Sequence, residues 1–217
     1  MANMKLYMTP GSCSTAIHII LEELEAVFEA HIVNLPAGDQ FKPDFIAINP
    51  KSTIPALVRP DGSALTEVQS IAFWLARAHP RAGLWPEDIE QQTRAVDCMA
   101  YVVGVVHGQG FARIFSPNAF VDQQDLHERV KAYGRNIVLK SFTILNRALE
   151  DRDFVAGAYS AADPVLFYVI FWADKIGLPI PPNLARHYKR MLSRPAVHQV
   201  LREEGYNPAT LAQGLAA

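Results

Sequence analysis

The stretch PALVRPDGSALTEVQSIAFWLARA, residues 55–78, holds the clearest structural pattern in this chain of 217 residues. Two short apolar runs, residues 55–59 and 63–66, flank Pro60-Asp61-Gly62, a sequence typical of a hairpin turn. Ile71, Trp74 and Leu75 then recur at helical spacing, which predicts a helix over residues 67–78. The stretch therefore predicts a β-β-α unit.

The residues before this unit predict a β-α-β unit. Residues 5–8 form a short apolar run that Thr9-Pro10-Gly11-Ser12 ends, and apolar residues then recur at helical spacing over 17–24. Residues 28–35 alternate between apolar and polar, as expected of a second strand, and at most a short helix is expected around 44–48. A βαβ unit followed by ββα is the thioredoxin-like pattern.

The composition changes after residue 78. Residues 79–86 are rich in proline and glycine, and the four apolar-striped segments that follow predict helices over 87–115, 122–149, 162–176 and 183–192. The predicted fold class is an α/β N-terminal thioredoxin-like domain plus an all-α C-terminal helical bundle domain. The expected boundaries are 1–80 for the first domain, 81–87 for a linker and 88–217 for the helical domain.

The composition argues against several classes of function. Half of the residues are hydrophobic and the net charge is −2, so nothing favours a nucleic acid or an anionic membrane as partner. The N-terminus lacks an apolar signal core, and no apolar run approaches the length of a bilayer span. Two cysteines make a disulfide framework improbable and favour a cytoplasmic location, and the scattered histidines predict no metal site.

Cys13 is the first candidate for chemistry because it directly precedes a predicted helix. The free N–H groups at a helix start favour a thiolate, whose pKa can fall from about 8.5 towards roughly 3.5–7.5. Ser14 can supply a hydroxyl hydrogen bond to a sulfur anion at the same place. Ala16 stands where a dithiol centre would have its second cysteine, which favours monothiol chemistry. The alternative is an inert buried cysteine.

Two further segments allow either a structural or a binding role. Pro55 can be an ordinary trans proline at a strand edge, or a cis proline that presents the Ile54 backbone to an extended peptide. Glu67 favours the helix dipole in any fold, or it meets a ligand ammonium while the Val68 N–H binds a carboxylate.

Four segments of this sequence resemble bacterial beta-class glutathione transferases. They are MKLYMTPGSCS at 4–14, AINPKSTIPAL at 47–57, DGSALTE at 61–67 and GAYSAAD at 157–163. The last resembles the family's capping box, in which Ser160 caps a helix and Asp163 reaches back. The chain is thus identified as a member of the glutathione S-transferase superfamily, closest to the beta class.

The resemblance implies a glutathione site in the first domain, with glutathione as co-substrate and no metal. The tripeptide would run antiparallel to the backbone beside a cis Ile54-Pro55 bond, and Cys13 would lie against its sulfur, with which it can form a mixed disulfide. Ser14 would be the neighbouring hydroxyl. The binding residues would be Ile54, Pro55, Lys51, Glu67 and Val68, of which Glu67 and Val68 hold the γ-glutamyl end.

The resemblance also places a histidine from the helical domain near the thiol, and His107 has a suitable position. The alternative for His107 is a packed core or interface residue. Three departures bear on the strength of binding: Met8 stands where the family often has tyrosine, Val68 where a small residue is common, and Ser52-Thr53 where Gly-Gln is common.

The function implied is a glutathione S-transferase that activates the glutathione thiol for attack on a small hydrophobic electrophile. Phe111, Phe115 and Tyr168 are the expected contributors to the electrophile site. One alternative is a glutathione-dependent thiol–disulfide oxidoreductase or peroxidase that uses Cys13. Another is a non-catalytic ligand-binding or interaction protein, which Met8 and Val68 favour. A homodimer and a role in detoxification are also expected, while the role of the tail from 205 to 217 stays open.

Overall fold

The structure is a computed structural model that describes residues 3–215, so the outermost residues of both predicted domains lie outside it. Four strands form one sheet in the order β2-β1-β3-β4. They are β1 Met4–Met8, β2 Phe28–Ile32, β3 Ala56–Val58 and β4 Ala64–Thr66. Strand β2 runs parallel to β1, and β3 is antiparallel to both β1 and β4.

Three helices accompany the sheet: α1 Thr15–Glu23, α2 Pro43–Ile48 and α3 Val68–Ala78. The predicted βαβ-ββα order is therefore confirmed. Three strands are shorter than predicted, since β2 ends at Ile32, β3 spans only Ala56–Val58 and β4 begins at Ala64. A proline has no N–H with which to extend a ladder of hydrogen bonds.

The rest of the described chain is helical, as predicted. Helix α4 Ile89–Tyr101 continues without a break through a π-helical segment, Val102–Phe111, into α5 Ala112–Phe115. The later helices are α6 His127–Ala148, α7 Ala162–Lys175, α8 Pro182–Leu192 and α9 Pro195–Glu203. Helix α9 was not predicted; it has nine residues, of which Val197, Val200 and Leu201 are buried.

Helix α7 lies at the centre of the molecule. Every residue from 162 to 173 is buried, and the helix packs against α1, α4 and α8. Asp163 reaches back as predicted, accepting a hydrogen bond from the Ser160 N–H at 2.8 Å. The predicted cap by Ser160 is wrong, because its hydroxyl lies 3.1 Å from the Asp163 carboxylate and bonds to that side chain instead of a backbone N–H.

An ion pair joins the sheet-bearing part to the helical part. The Arg194 guanidinium donates to both carboxylate oxygens of Glu23, at 2.6 and 2.8 Å. The same guanidinium lies 3.5 Å above the Tyr159 ring. Within residues 3–215, no helix combines the length and the apolar character needed to cross a membrane.

Candidate active site

A cleft of about 750 Å³ opens between the sheet-bearing part and the helices. Six of the eight residues that the sequence analysis assigned to the site line it, namely Cys13, Lys51, Ile54, Glu67, Val68 and His107. Pro55 is buried behind Ile54, and Ser14 is fully buried. The folded chain thus brings most of the predicted site together from four separate segments.

Cys13 lies just before α1, and its Sγ is 3.5 Å from the Ile54 carbonyl oxygen. The residue is only 7% exposed. Burial raises the pKa of the Cys13 thiol to about 12, and nearby backbone N–H groups lower it by less than burial raises it. The expected lowering of this pKa is therefore wrong, because removal of the thiolate from water outweighs the favourable helix start.

The Ser14 hydroxyl holds the loop before Cys13 rather than facing the cleft. It accepts from the Thr9 N–H and donates to the Thr9 carbonyl oxygen, both at 3.1 Å. The Ser12 hydroxyl lies 2.6 Å from that of Ser14, and Ser12 is the serine that lines the cleft. The sequence offers two serines beside Cys13, and only the folded loop distinguishes them.

Gly11 is clamped from the far end of the chain. Its N–H donates to Glu204 Oε2 at 2.7 Å, and its carbonyl oxygen accepts from the Trp172 indole N–H at 2.7 Å. A Cβ on Gly11 would lie 1.9 Å from the Tyr206 hydroxyl, so only glycine fits, and its φ is +72°. Residues far apart in sequence therefore set the position of the loop that carries Cys13.

The Ile54-Pro55 peptide bond is cis, as the resemblance implied. Ile54 lines the cleft next to the loop 9–13. Asn49 supports the turn before Ile54 by donating to the Thr53 carbonyl oxygen at 2.7 Å. The backbone at Ile54 is thereby placed beside Cys13.

Lys51 and Glu67 lie together with the start of α3 at the edge of the cleft. Lys51 Nζ lies 2.9 Å from Glu67 Oε1 and 2.9 Å from Thr66 Oγ1. Glu67 has a positive φ of 69° immediately before α3, a conformation that is unfavourable for a non-glycine residue and that clusters at functional sites. Val68 begins α3, where backbone N–H groups lack partners within the helix.

His107 enters the cleft from the π-helical segment. Its Nδ1 lies 3.2 Å from the Tyr168 hydroxyl, and its ring packs edge-on against Trp172. Burial lowers the pKa of His107 to about 4, so the imidazole is neutral at neutral pH. Burial, and after it the Cys13 sulfur, raises the pKa of Tyr168, which keeps its hydroxyl protonated.

Aromatic side chains form the helical wall of the cleft. Phe115, Phe171, Trp172 and Tyr206 line it. Of the three residues expected in this wall, only Phe115 does so, since Phe111 and Tyr168 are fully buried behind it. The tail from residue 205 onward, whose role the sequence leaves open, contributes the Tyr206 side chain to the cleft.

One histidine lies within a cluster of carboxylates away from the cleft, although the sequence predicted no metal site among the histidines. His18 contacts Glu204 at 2.9 Å and Glu203 at 3.1 Å. Ligand atoms of His18, Glu22 and Glu203 lie within 4.8 Å of one another, a spacing that a metal ion can accept. Both ring nitrogens of His18 already have protein partners, so the cluster has a sufficient structural role in holding α9 against α1.

Comparison with known proteins identifies the family. The family described as Glutathione S-transferase, N-terminal domain, matches residues 11–78, and that described as Glutathione S-transferase, C-terminal domain, matches residues 109–190. Glutathione S-transferase GstA of Escherichia coli O157:H7 is 33% identical over 211 residues, which cover 93% of this chain and 99% of that protein.

Solved structures agree with the sequence comparison. A glutathione transferase homologue from Sulfitobacter, with bound glutathione, has a TM-score of 0.87 and 29% identity, covering 94% of this chain and 99% of its own. The bacterial beta class glutathione S-transferase of Sphingomonas chungbukensis has a TM-score of 0.81 and 30% identity, covering 94% of this chain and 100% of its own. The chain therefore belongs to the glutathione S-transferase superfamily, near the bacterial beta class.

Proposed function

We propose that this enzyme binds glutathione in the cleft and activates its thiol for attack on a small hydrophobic electrophile. One observation carries the proposal: Cys13, the Ile54 backbone and the start of α3 face an aromatic wall across a single cleft. The family membership and the bound glutathione in the Sulfitobacter homologue support the choice of glutathione as co-substrate.

The polar edge of the cleft suits the two ends of the tripeptide backbone. The Ile54 backbone pairs with the extended peptide, and the Glu67 carboxylate binds the γ-glutamyl ammonium. The Val68 N–H binds the γ-glutamyl carboxylate at the start of α3, a helix of 11 residues, where the dipole favours an anion. Lys51 holds Glu67 in place through their 2.9 Å contact.

Cys13 acts as a hydrogen-bond donor to the glutathione sulfur. Because burial raises its pKa to about 12, the thiol keeps its proton at neutral pH and can donate it. A donor aimed at the charged form of a neighbouring thiol stabilises the thiolate and lowers its pKa. Burial lowers the pKa of His107 to about 4, so this imidazole is too weak a base to hold the glutathione proton at neutral pH. Its neutral ring therefore acts through hydrogen bonds, and the proton passes to solvent.

Thiol–disulfide exchange and peroxide reduction are the second candidate, and the opening of the Cys13 side chain to the cleft favours them. They need Cys13 as a thiolate nucleophile, however, and the raised pKa opposes that state. Transfer therefore ranks first. The non-catalytic alternative loses one of its two supports, because Met8 is buried within the sheet and does not line the cleft.

We also propose that the enzyme is a cytoplasmic homodimer with a role in detoxification. Exposed apolar side chains on α3 and α4, Phe73, Ile89 and Val96, support a homodimer that covers them. Two free cysteines suit a reducing cytoplasm. Conjugation of electrophiles suits a role in detoxification.

The test combines affinity for immobilised glutathione with two assays, conjugation of glutathione to 1-chloro-2,4-dinitrobenzene and glutathione-dependent reduction of a small disulfide. We expect retention, conjugation and only weak disulfide reduction. Cys98→Ala is the matched control for Cys13→Ala, because Cys98 is an equally buried thiol that does not line the cleft. Absence of retention and of turnover in both assays would refute the enzyme proposal.

A further inference from the structure

The charges that line the cleft do not cancel. Three ionised side chains line it: Lys51, Glu67 and Lys175. Lys51 and Glu67 form an ion pair at 2.9 Å and neutralise each other. Within residues 3–215, Lys175 has no carboxylate at ion-pair distance, and its amine instead lies 5.5 Å from the centre of the Tyr206 ring. His107 adds no charge at neutral pH, so the aromatic half of the cleft carries one uncompensated cation.

The position of this cation relative to the reacting thiol follows from the geometry of α7. Lys175 is the last residue of α7 and lies three positions after Trp172, on the same face of the helix. Trp172 is fixed beside the Cys13 loop through its 2.7 Å bond to Gly11. With a rise of 1.5 Å per residue, Lys175 lies about 4.5 Å further along the helix axis. The backbone of Lys175 is thus within one helical turn of Trp172, and its side chain lines the same cleft as Cys13.

The surroundings favour binding of an organic anion over a bare inorganic one. Phe115, Trp172 and Tyr206 offer aromatic faces in the cleft that Cys13 and Lys175 also line. A flat apolar body can pack on these faces while an anionic substituent reaches the amine. The cation–π contact with Tyr206 limits the positions that the flexible lysine side chain samples.

We propose that the electrophilic substrate carries a carboxylate or similar anionic group and that Lys175 binds it. This inference rests on the proposed transferase function and adds the substrate class to it. A lysine in the last turn of a helix is favourable in any protein, because it complements the helix dipole. The test therefore measures selectivity between substrates rather than stability.

The experiment uses two electrophiles that react by the same displacement, 1-chloro-2,4-dinitrobenzene and 4-chloro-3,5-dinitrobenzoate. In both, the glutathione sulfur forms a bond to the ring carbon, the C–Cl bond breaks, and chloride leaves with the bonding electron pair. The thiol proton passes to solvent. Only the second substrate carries a carboxylate, on the ring carbon opposite the chlorine.

We expect Lys175→Met to lower kcat/KM for the benzoate by about 3- to 10-fold, as for a partly exposed charge pair, and to change the neutral substrate by less than about 2-fold. Lys175→Arg should keep the preference, since it keeps the charge. The effect should shrink in high salt, which screens an exposed pair. Lys140→Met on α6 is the matched control, because Lys140 is exposed and does not line the cleft.

Three results would overturn the inference: an equal loss for both electrophiles, no loss for either, or a rise in KM for glutathione alone. The last would mean that Lys175 binds the glycyl carboxylate of glutathione. Each of these leaves the proposed function standing, since the neutral electrophile is still turned over. Absence of turnover of both electrophiles by the unmodified enzyme would instead refute the transferase function, and this inference with it.

Discussion

At the scale of single residues, the site depends on which polar groups lose their contact with water. Cys13 and His107 both line the cleft, and burial moves both towards their neutral forms, raising the pKa of the thiol to about 12 and lowering that of the imidazole to about 4. A neutral donor and a neutral acceptor of protons therefore face the same space. The protonated Cys13 thiol suits stabilisation of a bound glutathione thiolate better than nucleophilic attack by Cys13 itself, while an imidazole with a pKa of about 4 is too weak a base to hold the glutathione proton near pH 7.

His107 gives the stability of the enzyme a predictable dependence on pH. Its pKa is about 4 in the folded chain against an ordinary value of 6.5, so between these values the unfolded chain binds the proton and the folded chain does not. The free energy of unfolding should therefore fall as the pH decreases from about 6.5 to about 4, and this contribution should be fully present above that window.

The variant His107→Asn checks this, because asparagine can keep a hydrogen bond to Tyr168 but does not titrate. Urea unfolding across the pH range should show a smaller acid-side loss of stability in the variant than in the unmodified enzyme. Identical pH profiles would show that His107 is not the group responsible.

Glu204 should matter to catalysis although it does not touch the cleft. Its Oε2 accepts from the Gly11 N–H at 2.7 Å and from the Thr15 hydroxyl at 2.6 Å, which fixes the loop before Cys13. Removal of this buried acceptor should lower the stability by about 1–3 kcal/mol. We also expect Glu204→Ala to raise KM for glutathione, because the loop loses its anchor.

Steady-state kinetics with glutathione as the varied substrate, together with urea unfolding, measure both effects. Glu204→Gln should recover part of the lost affinity, since its amide oxygen can still accept from Gly11. Glu203→Gln is the control, because Glu203 is about half exposed and makes no contact with the loop. An unchanged KM in Glu204→Ala would contradict this role.

Some residues of the site could be predicted from short sequence motifs, and others depend on contacts between residues far apart in the chain. Cys13, Ile54-Pro55 and Glu67-Val68 lie at strand ends and helix starts, so short motifs predicted them, and their roles in binding stay predictions. The hydrogen bond from Gly11 to Glu204 joins residues 193 positions apart, and no periodic pattern within a helix or strand predicts such a contact. The raised pKa of Cys13 was missed for the same reason, since burial depends on distant residues that cover the loop.

At the scale of elements, the helix that carries His107 is fixed by a close approach of two glycines. A Cβ on Gly134 of α6 would lie 2.7 Å from the Gly110 carbonyl oxygen, a backbone atom that cannot move aside easily. Gly110 belongs to the π-helical segment that includes His107. Contact with α6 therefore helps to hold this irregular segment and its histidine in place.

Gly134→Ala should destabilise the enzyme by about 1–3 kcal/mol, as overpacking usually does. Gly104→Ala is the matched control, since nothing lies within 4 Å of the added Cβ. Urea unfolding of both variants gives the comparison. A stability loss in Gly104→Ala but not in Gly134→Ala would contradict the close approach.

The elements themselves were mostly predictable. Apolar periodicity located the strands and the helices up to α8, because each buries one face or lies in the core. The π-helical segment was not predicted, since its valines and glycines fit an α-helix equally well. The short helix α9 was not predicted because only three of its residues are buried, and their burial depends on contact with α1 and α8.

At the scale of the whole molecule, the cleft exists because two differently folded parts are held against each other. The core is continuous through α1 and α7, and the boundary predicted at residues 81–87 stays a prediction. The Glu23–Arg194 pair adds a polar link at the edge of that core. Its geometry is that of a bidentate ion pair, with the Tyr159 hydroxyl also donating to Glu23 at 3.2 Å.

Glu23→Gln should lower the stability by about 1–3 kcal/mol, because it leaves the Arg194 charge without its partner. Thermal or urea unfolding measures the loss, and Glu25→Gln is the control, since Glu25 is exposed in the turn that follows α1. Equal stability of the two variants would show that the Glu23–Arg194 pair does not stabilise the contact between the sheet-bearing part and the helical part.

The pKa of the bound glutathione thiol, measured from the ultraviolet absorbance of the thiolate as pH is varied, tests the proposed role of Cys13. We expect a value well below that of free glutathione. Cys13→Ala should raise it by about one pKa unit, equivalent to about 1.4 kcal/mol, and Cys13→Ser should keep most of the lowering. A bound thiol that titrates as it does in free solution, or a value that Cys13→Ala leaves unchanged, would contradict the claim that Cys13 stabilises the glutathione thiolate.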